Sequence, residues 1–410
     1  MQENSKYAVG IDIGTLTVRC VVGHIDGTGV PTIVGVGVAP NSGMRKGTVV
    51  NLTGPAQAID VALGEAERMS GYQVDTATVS INGSHILSTH TDGMIAVGSL
   101  NHQITEEDLM RIEEVATMGK VPANREVLEV VPHAYKLDGQ DNIKNPIGMT
   151  GTRLEIDAHV VSVLAPHLDN LQKATESAKV TPNSIIVAGV AAARAVLNEQ
   201  QLENGVVLID IGGATTNIAV YEEGDLQFTA VIPIGGVNIT NDLAIGLRTD
   251  PEIAEKLKIE HASATSRYDA SGISLKYNDE IYSFKTEDID EIVEARLEEI
   301  FEAINKELKR AGRAGKLPSG AVLTGGTAEL KGIADYAKES LGLAVRIGIS
   351  SGYGGVADNI DKPEFATALG LMLIDSEVSG AIKHGNKSKS KGVLSNGVGI
   401  ISKLMGRFRT

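Results

Sequence analysis

The 410-residue chain has no Trp, and aromatic residues make up only 3% of it. That scarcity excludes the stacking platforms on which single-stranded nucleic acids are held. A net charge of −15 argues in the same direction. Cys20 is the single cysteine, so no intramolecular disulfide can form, and the chain reads as a protein of a reducing compartment. No run approaches the 18 or so apolar residues of a membrane span. The longest candidate, Ser184 to Leu197, is broken by Arg194. The start, MQENSKYAVG, has neither the basic nor the apolar region of a secretory signal. No Ser lies in G-x-S-x-G, no GxxxxGK[ST] occurs, and the nine His show no HxxxH or HExxH spacing. Nucleophile-elbow hydrolases, P-loop NTPases and zincins are therefore set aside.

What is present is a globular composition with enough apolar residues, 42%, for two to four domains. Glycine is frequent, at 46 residues, and it clusters behind β-rich runs. Ala8–Ile13 precedes Gly14, Val206–Ile211 precedes Gly212-Gly213, and Ala321–Thr324 precedes Gly325-Gly326. Strand followed by glycine turn is how α/β folds turn backbone N–H groups toward phosphates. Helical signals alternate with these runs. Pro55–Met69 has helical spacing, and Thr105-Glu-Glu-Asp108 is a capping box opening a helix to about Met118. Apolar residues from Ile289 to Leu308 predict a helix over Thr286–Arg310, ended by Gly312. The fold class is α/β.

An internal repeat supports two similar halves. GIDIGTLTVRCVV at Gly10–Val22 aligns with LIDIGGATTNIAV at Leu208–Val220 with an offset of 198. The matches fall on the turn and on the acids before it, Asp12 and Asp210. Backbone N–H groups of Gly14, Thr15, Leu16 and Thr17 can face β- and γ-phosphates, with Thr hydroxyls as further donors. Gly212, Gly213, Thr215 and Thr216 offer the second such loop. Asp12 and Asp210 together can hold Mg²⁺ against a phosphate chain. The plainer alternative for either loop alone is an ordinary β-hairpin. Gly235, Gly236, Gly325 and Gly326 let backbone approach a base or sugar. Glu255 and Lys258 share a helix face and can reach a ribose or base; otherwise they are an exposed ion pair. Cys20 sits in an apolar strand pattern as an inert core residue.

The last stretch differs in charge. Seven Lys or Arg and no acid lie between Lys383 and Thr410, which leaves 30 cations against 52 acids, a net −22, in residues 1–382. Ser376–Gly392 reads as a flexible linker with a reach of about 20–25 Å. Beyond it, on a helix advancing about 100° per residue, Val398, Ile401, Met405 and Phe408 fall within about 40° of Leu394. Lys403 and Arg407 oppose that stripe. Such a segment is expected to be disordered in water, weakened by Gly397, Gly399 and Gly406, and to fold on an anionic membrane surface.

The loops DIGTLT and DIGGATT, a helix over Ile186–Leu197, LTGGTAEL, and a late helix over Phe365–Ile374 stand in the order of the actin/Hsp70/sugar-kinase superfamily. Two stretches are more specific. Asn41-Ser-Gly-Met-Arg-Lys-Gly-Thr-Val-Val-Asn51 and Pro146-Ile-Gly-Met-Thr-Gly-Thr-Arg-Leu-Glu155, followed by Asp157-Ala-His159, resemble the FtsA family of bacterial cell-division proteins. The resemblance covers nearly the whole chain. It implies an actin-like two-lobed ATPase fold with an inserted subdomain and a C-terminal amphipathic helix. Lobe 1 would span 1–83 and 163–204, the insert 84–162, lobe 2 205–375, the linker 376–392 and the membrane helix 393–410. It also implies ATP and Mg²⁺ in the cleft, with hydrolysis at most slow. Filaments would form through the insert. The region 241–319, with Arg296 as a candidate contact, would receive the C-terminal peptide of FtsZ, a tubulin-like polymer. Other divisome proteins would be partners, and nucleic acid would not. The location would be the cytoplasmic face of the membrane at the division site. One departure is Ala214-Thr-Thr-Asn217, where many superfamily members carry an Asp in the place of Asn217. The competing reading is a small-molecule kinase of the same superfold, but no Asp can be assigned as base for an acceptor hydroxyl. A chaperone would need a peptide-binding domain after the ATPase part, and only about 36 residues follow Ile374.

Overall fold

The computed structural model describes residues 6–26, 30–98, 101–265, 272–355 and 360–381. The first lobe opens with a meander of β1 (Lys6–Ile13), β2 (Thr17–Ile25) and β3 (Pro31–Pro40). Alternate residues of β3 are buried, as expected for a strand with one face on a helix. That helix is α1 (Thr53–Ser70), reached through the small hairpin β4 (Met44–Arg45) and β5 (Thr48–Val49). Gly71 closes α1 in the left-handed conformation at φ 68°. β6 (Thr76–Ile81) then lies parallel to β1.

Between β6 and the return to this sheet stands an inserted unit. It contains β7 (Leu87–Ala96), α2 (Glu106–Thr117), β8 (Arg125–Leu137), β9 (Gln140–Ile143) and β10 (Arg153–Leu164), ordered β7-β10-β8-β9 in their own sheet. Thr105 caps α2 as the sequence predicts, with the reciprocal Thr105–Asp108 bonds of a capping box. Ile112, Ala116, Leu154, Ile156 and Val160 form a separate hydrophobic core between α2 and one face of this sheet.

The chain returns through α3 (Ala165–Ser177) to β11 (Thr181–Val187), followed by α4 (Ala188–Val196) and α5 (Glu199–Asn204). The expected helix at Ile186–Leu197 therefore starts two residues later. Ile186 and Val187 end a strand that runs straight into α4 with no turn residue between them.

The second lobe repeats the first. β12 (Val206–Ile211), β13 (Thr216–Glu222) and β14 (Asp225–Ile232) form a meander. After α6 (Gly236–Gly246), α7 (Pro251–His261), the hairpin β15 (Gly272–Tyr277)–β16 (Glu280–Lys285) and α8 (Thr286–Arg310), β17 (Ala321–Thr324) lies parallel to β12. α9 (Ile333–Leu341) leads to β18 (Val345–Ile347). The order β14-β13-β12-β17-β18 matches β3-β2-β1-β6-β11, so the sequence repeat is a repeat of fold. The strand β19 (Gly354–Gly355) adds to the free edge of β3.

α10 (Ala366–Ala381) corrects two expected boundaries. It packs on β1 and α4, so residues from about 366 belong to the first lobe's core rather than to the second. Contact is close because Gly370 leaves no side chain; a Cβ there would stand 1.7 Å from the Ala191 carbonyl oxygen. Asp375 accepts bonds from Val9 N, Thr78 Oγ and Asn183 Nδ2, fastening the helix to β1, β6 and β11. The helix also runs past Ser376, and an Arg194–Glu377 ion pair holds its last turns, so the linker begins later than predicted. The membrane-helix residues Leu394 to Phe408 lie outside the described residues. Among the described residues no helix is long and apolar enough to cross a membrane.

Candidate functional site: the cleft between the lobes

Each meander begins with an acid at the end of its first strand, and the fold brings the two acids together. Asp12 ends β1, and its Oδ1 accepts from Ser80 Oγ at 2.8 Å, while the same oxygen of Ser80 accepts from Ile13 N at 2.8 Å. Asp210 ends β12 and its Oδ2 accepts from Asn217 Nδ2 at 2.9 Å. Burial raises both carboxyls above their ordinary range. For Asp210 the value is pushed up to about 7, by burial first and then by the negative charge of Asp12. Arg19, across the strand pair from Asp12, works against the rise in both. Two crowded carboxylates with raised affinity for a proton also have raised affinity for a cation, and oxygen donors suit a hard one such as Mg²⁺.

The glycine loops behind these acids touch. A Cβ on Gly213 would stand 2.5 Å from Leu16 Cδ1, so the second loop lies directly against the first. Asn82 Nδ2 donates to Thr215 Oγ at 3.1 Å, a further link across the cleft. The Asn41–Asn51 stretch wraps the first loop. Asn41 Nδ2 donates to Gly14 O at 2.7 Å, Asn41 N to Leu16 O at 2.8 Å, and Gly47 N to Thr15 Oγ at 2.9 Å.

The remaining candidates gather around Gly212. Gly236 N donates to Gly212 O and Val237 N to Gly213 O, at 2.9 and 2.7 Å. A Cβ on Gly235 would lie 2.5 Å from Gly212 O. Thr327 Oγ, just beyond Gly326, donates to Gly212 O at 3.2 Å. Gly325 is required twice over. Its φ is +84°, and a Cβ there would stand 2.3 Å from Asp210 Oδ1. Glu255 and Lys258 are more than an exposed pair. Lys258 Nζ donates to Glu255 Oε2, Thr240 Oγ and Gly236 O, which seats α7 on the start of α6 beside the loops.

The structure does not treat every predicted residue alike. Thr216 is fully buried and its hydroxyl donates to Ile234 O, so it supports the turn from behind. Arg296 stands apart on α8, with its guanidinium engaged by Asp242 and Glu299. Cys20 is fully buried and its thiol is pushed up to about 12, as befits an inert core residue. Sequence reasoning missed Ser80, Asn82, Arg19 and Thr327. Asn82-Gly83 after a strand run was the one local signal available. A cavity of about 490 Å³ lined by Leu197, Asn198, Tyr221 and Ser351 lies elsewhere and shares no lining residue with these loops.

Comparison with known proteins agrees with this architecture. The family model for the cell division protein FtsA matches residues 207–370, and that for the SHS2 domain inserted in FtsA matches residues 83–162. The chain is 35% identical to the cell division protein FtsA of Pseudomonas aeruginosa over 375 residues, covering 90% of this chain and 89% of that one. It is 36% identical to that of Bacillus subtilis over 373 residues, covering 90% and 83%. Among solved structures, the PilM–PilN type IV pilus biogenesis complex shares the fold with a TM-score of 0.65 at 17% identity, covering 90% of this chain and 98% of that one. MreB5 of Spiroplasma citri bound to ADP does so with a TM-score of 0.57 at 13% identity, covering 93% and 99%. With its doubled actin-like lobes and its insert in that place, the chain belongs to the FtsA family of cell-division proteins.

Proposed function

We infer that this chain binds Mg-ATP between its lobes, assembles with copies of itself, and ties FtsZ to the cytoplasmic face of the membrane at the division site. The observation that carries the nucleotide reading is the meeting of two acid-bearing glycine loops, with Gly325 placed against Asp210. Asp12 and Asp210 are the residues that would hold Mg²⁺, and the metal would offset the repulsion between them. MreB5 has been solved with ADP and with AMPPNP on the same fold, which supports a nucleotide here. MamK, a further fold neighbour, has been solved as a double helical filament, which supports self-assembly. The insert is the proposed contact between subunits.

For the FtsZ peptide, the region 241–319 offers exposed apolar side chains in Ile245, Ile259 and Ile281, at 77%, 72% and 72% exposure. Surface side chains of that size suit a short peptide better than water. Arg296 remains a candidate contact, but it would have to leave Asp242 to serve. The membrane step rests on the apolar stripe and cations of residues 393–410, which act as a reversible anchor, while the linker keeps the acidic body off the bilayer.

Co-sedimentation with anionic liposomes tests the tether. Full-length protein should pellet, and a chain lacking residues 393–410, or carrying Ile401→Glu with Phe408→Glu, should stay in solution. Equal pelleting of the truncated chain would overturn the tether reading.

A further inference from the structure

The face of the inserted sheet that looks away from α2 carries an unassigned constellation of histidines. Ile156, Ala158 and Val160 on β10 enter the core beneath α2, so Asp157 and His159, which alternate with them, point to the opposite face. His90 on β7 pairs directly with His159. On β8, Pro132 pairs with Ala158 and Ala134 with Asp157, which leaves His133 as the extra residue of a β-bulge. Bulges re-aim a side chain, and this one brings the His133 ring to 6.1 Å from that of His159 and 6.2 Å from that of His90. One ligand atom from each of His90, His133 and Asp157 lies within 4.8 Å of the other two. His90 Nε2 and Asp157 Oδ1 are 3.1 Å apart. Two donors bound to one tetrahedral zinc stand about 3.3 Å apart, so that pair already has the spacing of shared ligation.

The surrounding bonds select the nitrogens. His133 Nε2 lies 3.0 Å from Leu226 O on β14. A carbonyl only accepts, so Nε2 carries the hydrogen and Nδ1 is left with the lone pair. A backbone carbonyl behind the ring is the usual outer partner of a metal-bound imidazole. His159 is the supporting member. Its Nε2 is 2.8 Å from Ser88 Oγ, which also accepts from Thr229 N on β14. The same face thus holds three convergent donors and two hydrogen bonds to the second lobe.

We propose that His90, His133 and Asp157 form a binding site for a divalent transition ion of the zinc class, which fastens the insert beside β14. Two imidazoles and one carboxylate suit Zn²⁺, with water in the fourth position, and suit Mg²⁺ poorly. The site is separate from the nucleotide cleft and does not rest on the reading of that cleft.

The test is calorimetric titration of ZnCl₂ into the full-length, chelator-treated protein, with excess Mg²⁺ present to occupy the cleft carboxylates. One Zn²⁺ should bind per chain. His90→Ala and Asp157→Asn should each weaken binding roughly tenfold or more, and His24→Ala should leave it unchanged. Both replaced side chains are exposed, so metal-free melting of the variants should match the parent. His133→Ala is kept as a secondary variant because it also breaks the bond to Leu226. Absence of Zn²⁺ binding, or binding of equal strength in both His90→Ala and Asp157→Asn, would overturn the site.

Discussion

The two lobes share a strand order and an acid at the same place, yet they surround that acid differently. Opposite Asp12, the neighbouring strand carries Arg19; opposite Asp210 it carries Asn217, the residue 198 positions on. The parallel strand offers a hydroxyl in both lobes. In lobe 1 it is Ser80, which donates to Asp12; in lobe 2 it is Thr324, which donates instead to Pro363 O. Beyond that strand, lobe 1 places Asn82, which reaches Thr215, while lobe 2 places Gly325, which admits Asp210. Asp12 therefore has a cation directly across the strand pair and a hydroxyl bonded to it, whereas Asp210, which also feels Arg19, is bonded to one neutral amide. The half-sites are alike in backbone and unequal in charge, and Asp210 has more to gain from an arriving metal.

The sharpest way to break the comparison is at the backbone. Gly325→Val puts a branched side chain at φ +84° and into the Asp210 carboxylate. A loss of about 4 kcal/mol or more is expected in denaturant unfolding, together with loss of ATP binding. Gly83→Ala in lobe 1, at φ +121°, meets the side chains of Thr48 and His85 and should cost less.

Removing the lobe 2 charge comes next. Because the folded value of Asp210 is raised to about 7 from an unfolded 3.8, the folded protein holds the extra proton between those values. Its stability should fall as pH rises through roughly 4 to 7, and the cost is complete above that window. Asp210→Asn removes its share of the slope and leaves that of Asp12, so at pH 8 the nucleotide-free variant should be more stable than its parent by about 2 kcal/mol. Thermal melts across pH without nucleotide measure this directly.

Making lobe 1 resemble lobe 2 is the converse. Arg19→Asn removes the cation beside Asp12 and the ion pair with Glu364. A loss of roughly 1–2 kcal/mol is expected at pH 8, with a steeper fall of stability over the same pH range, read by the same melts. The smallest effect belongs to Asn82→Ala. It deletes one hydrogen bond between lobes, about 1 kcal/mol in denaturant unfolding, and should weaken Mg-ATP affinity modestly.

The sequence revealed the acids and glycines because they are local. A strand run, an acid and a turn lie within seven residues, and the offset of 198 pairs them. The Thr105 capping box and the helix over Thr286–Arg310 were legible for the same reason: caps and periodicity act within a few turns. Ser80, Asn82, Thr327 and Arg19 were not legible. Ser80 and Arg19 reach Asp12, and Asn82 and Thr327 reach the second loop, through strand pairing and loop packing, and apart from Asn82-Gly83 after a strand run nothing in their own neighbourhoods marks them. The bulge that turns His133 toward His90 is invisible for a related reason, since it exists only in the register of β8 against β10. The start of α4 was misplaced because Ile186 and Val187 continue the same apolar run with no breaker, and periodicity cannot divide a buried strand from a buried helix over so short a span. α10 returns to lobe 1 through contacts of Gly10, Gly370 and Asp375 that span the length of the chain.

The most direct measurement is a calorimetric titration of ATP into the full-length protein with and without Mg²⁺, repeated on Asp12→Asn and Asp210→Asn. If the two loops make one metal-nucleotide site, ATP binds to the parent with an affinity that Mg²⁺ strengthens, and either substitution removes most of that strengthening. An affinity for ATP that ignores Mg²⁺, or one that keeps its full Mg²⁺ dependence in both variants, would contradict the account.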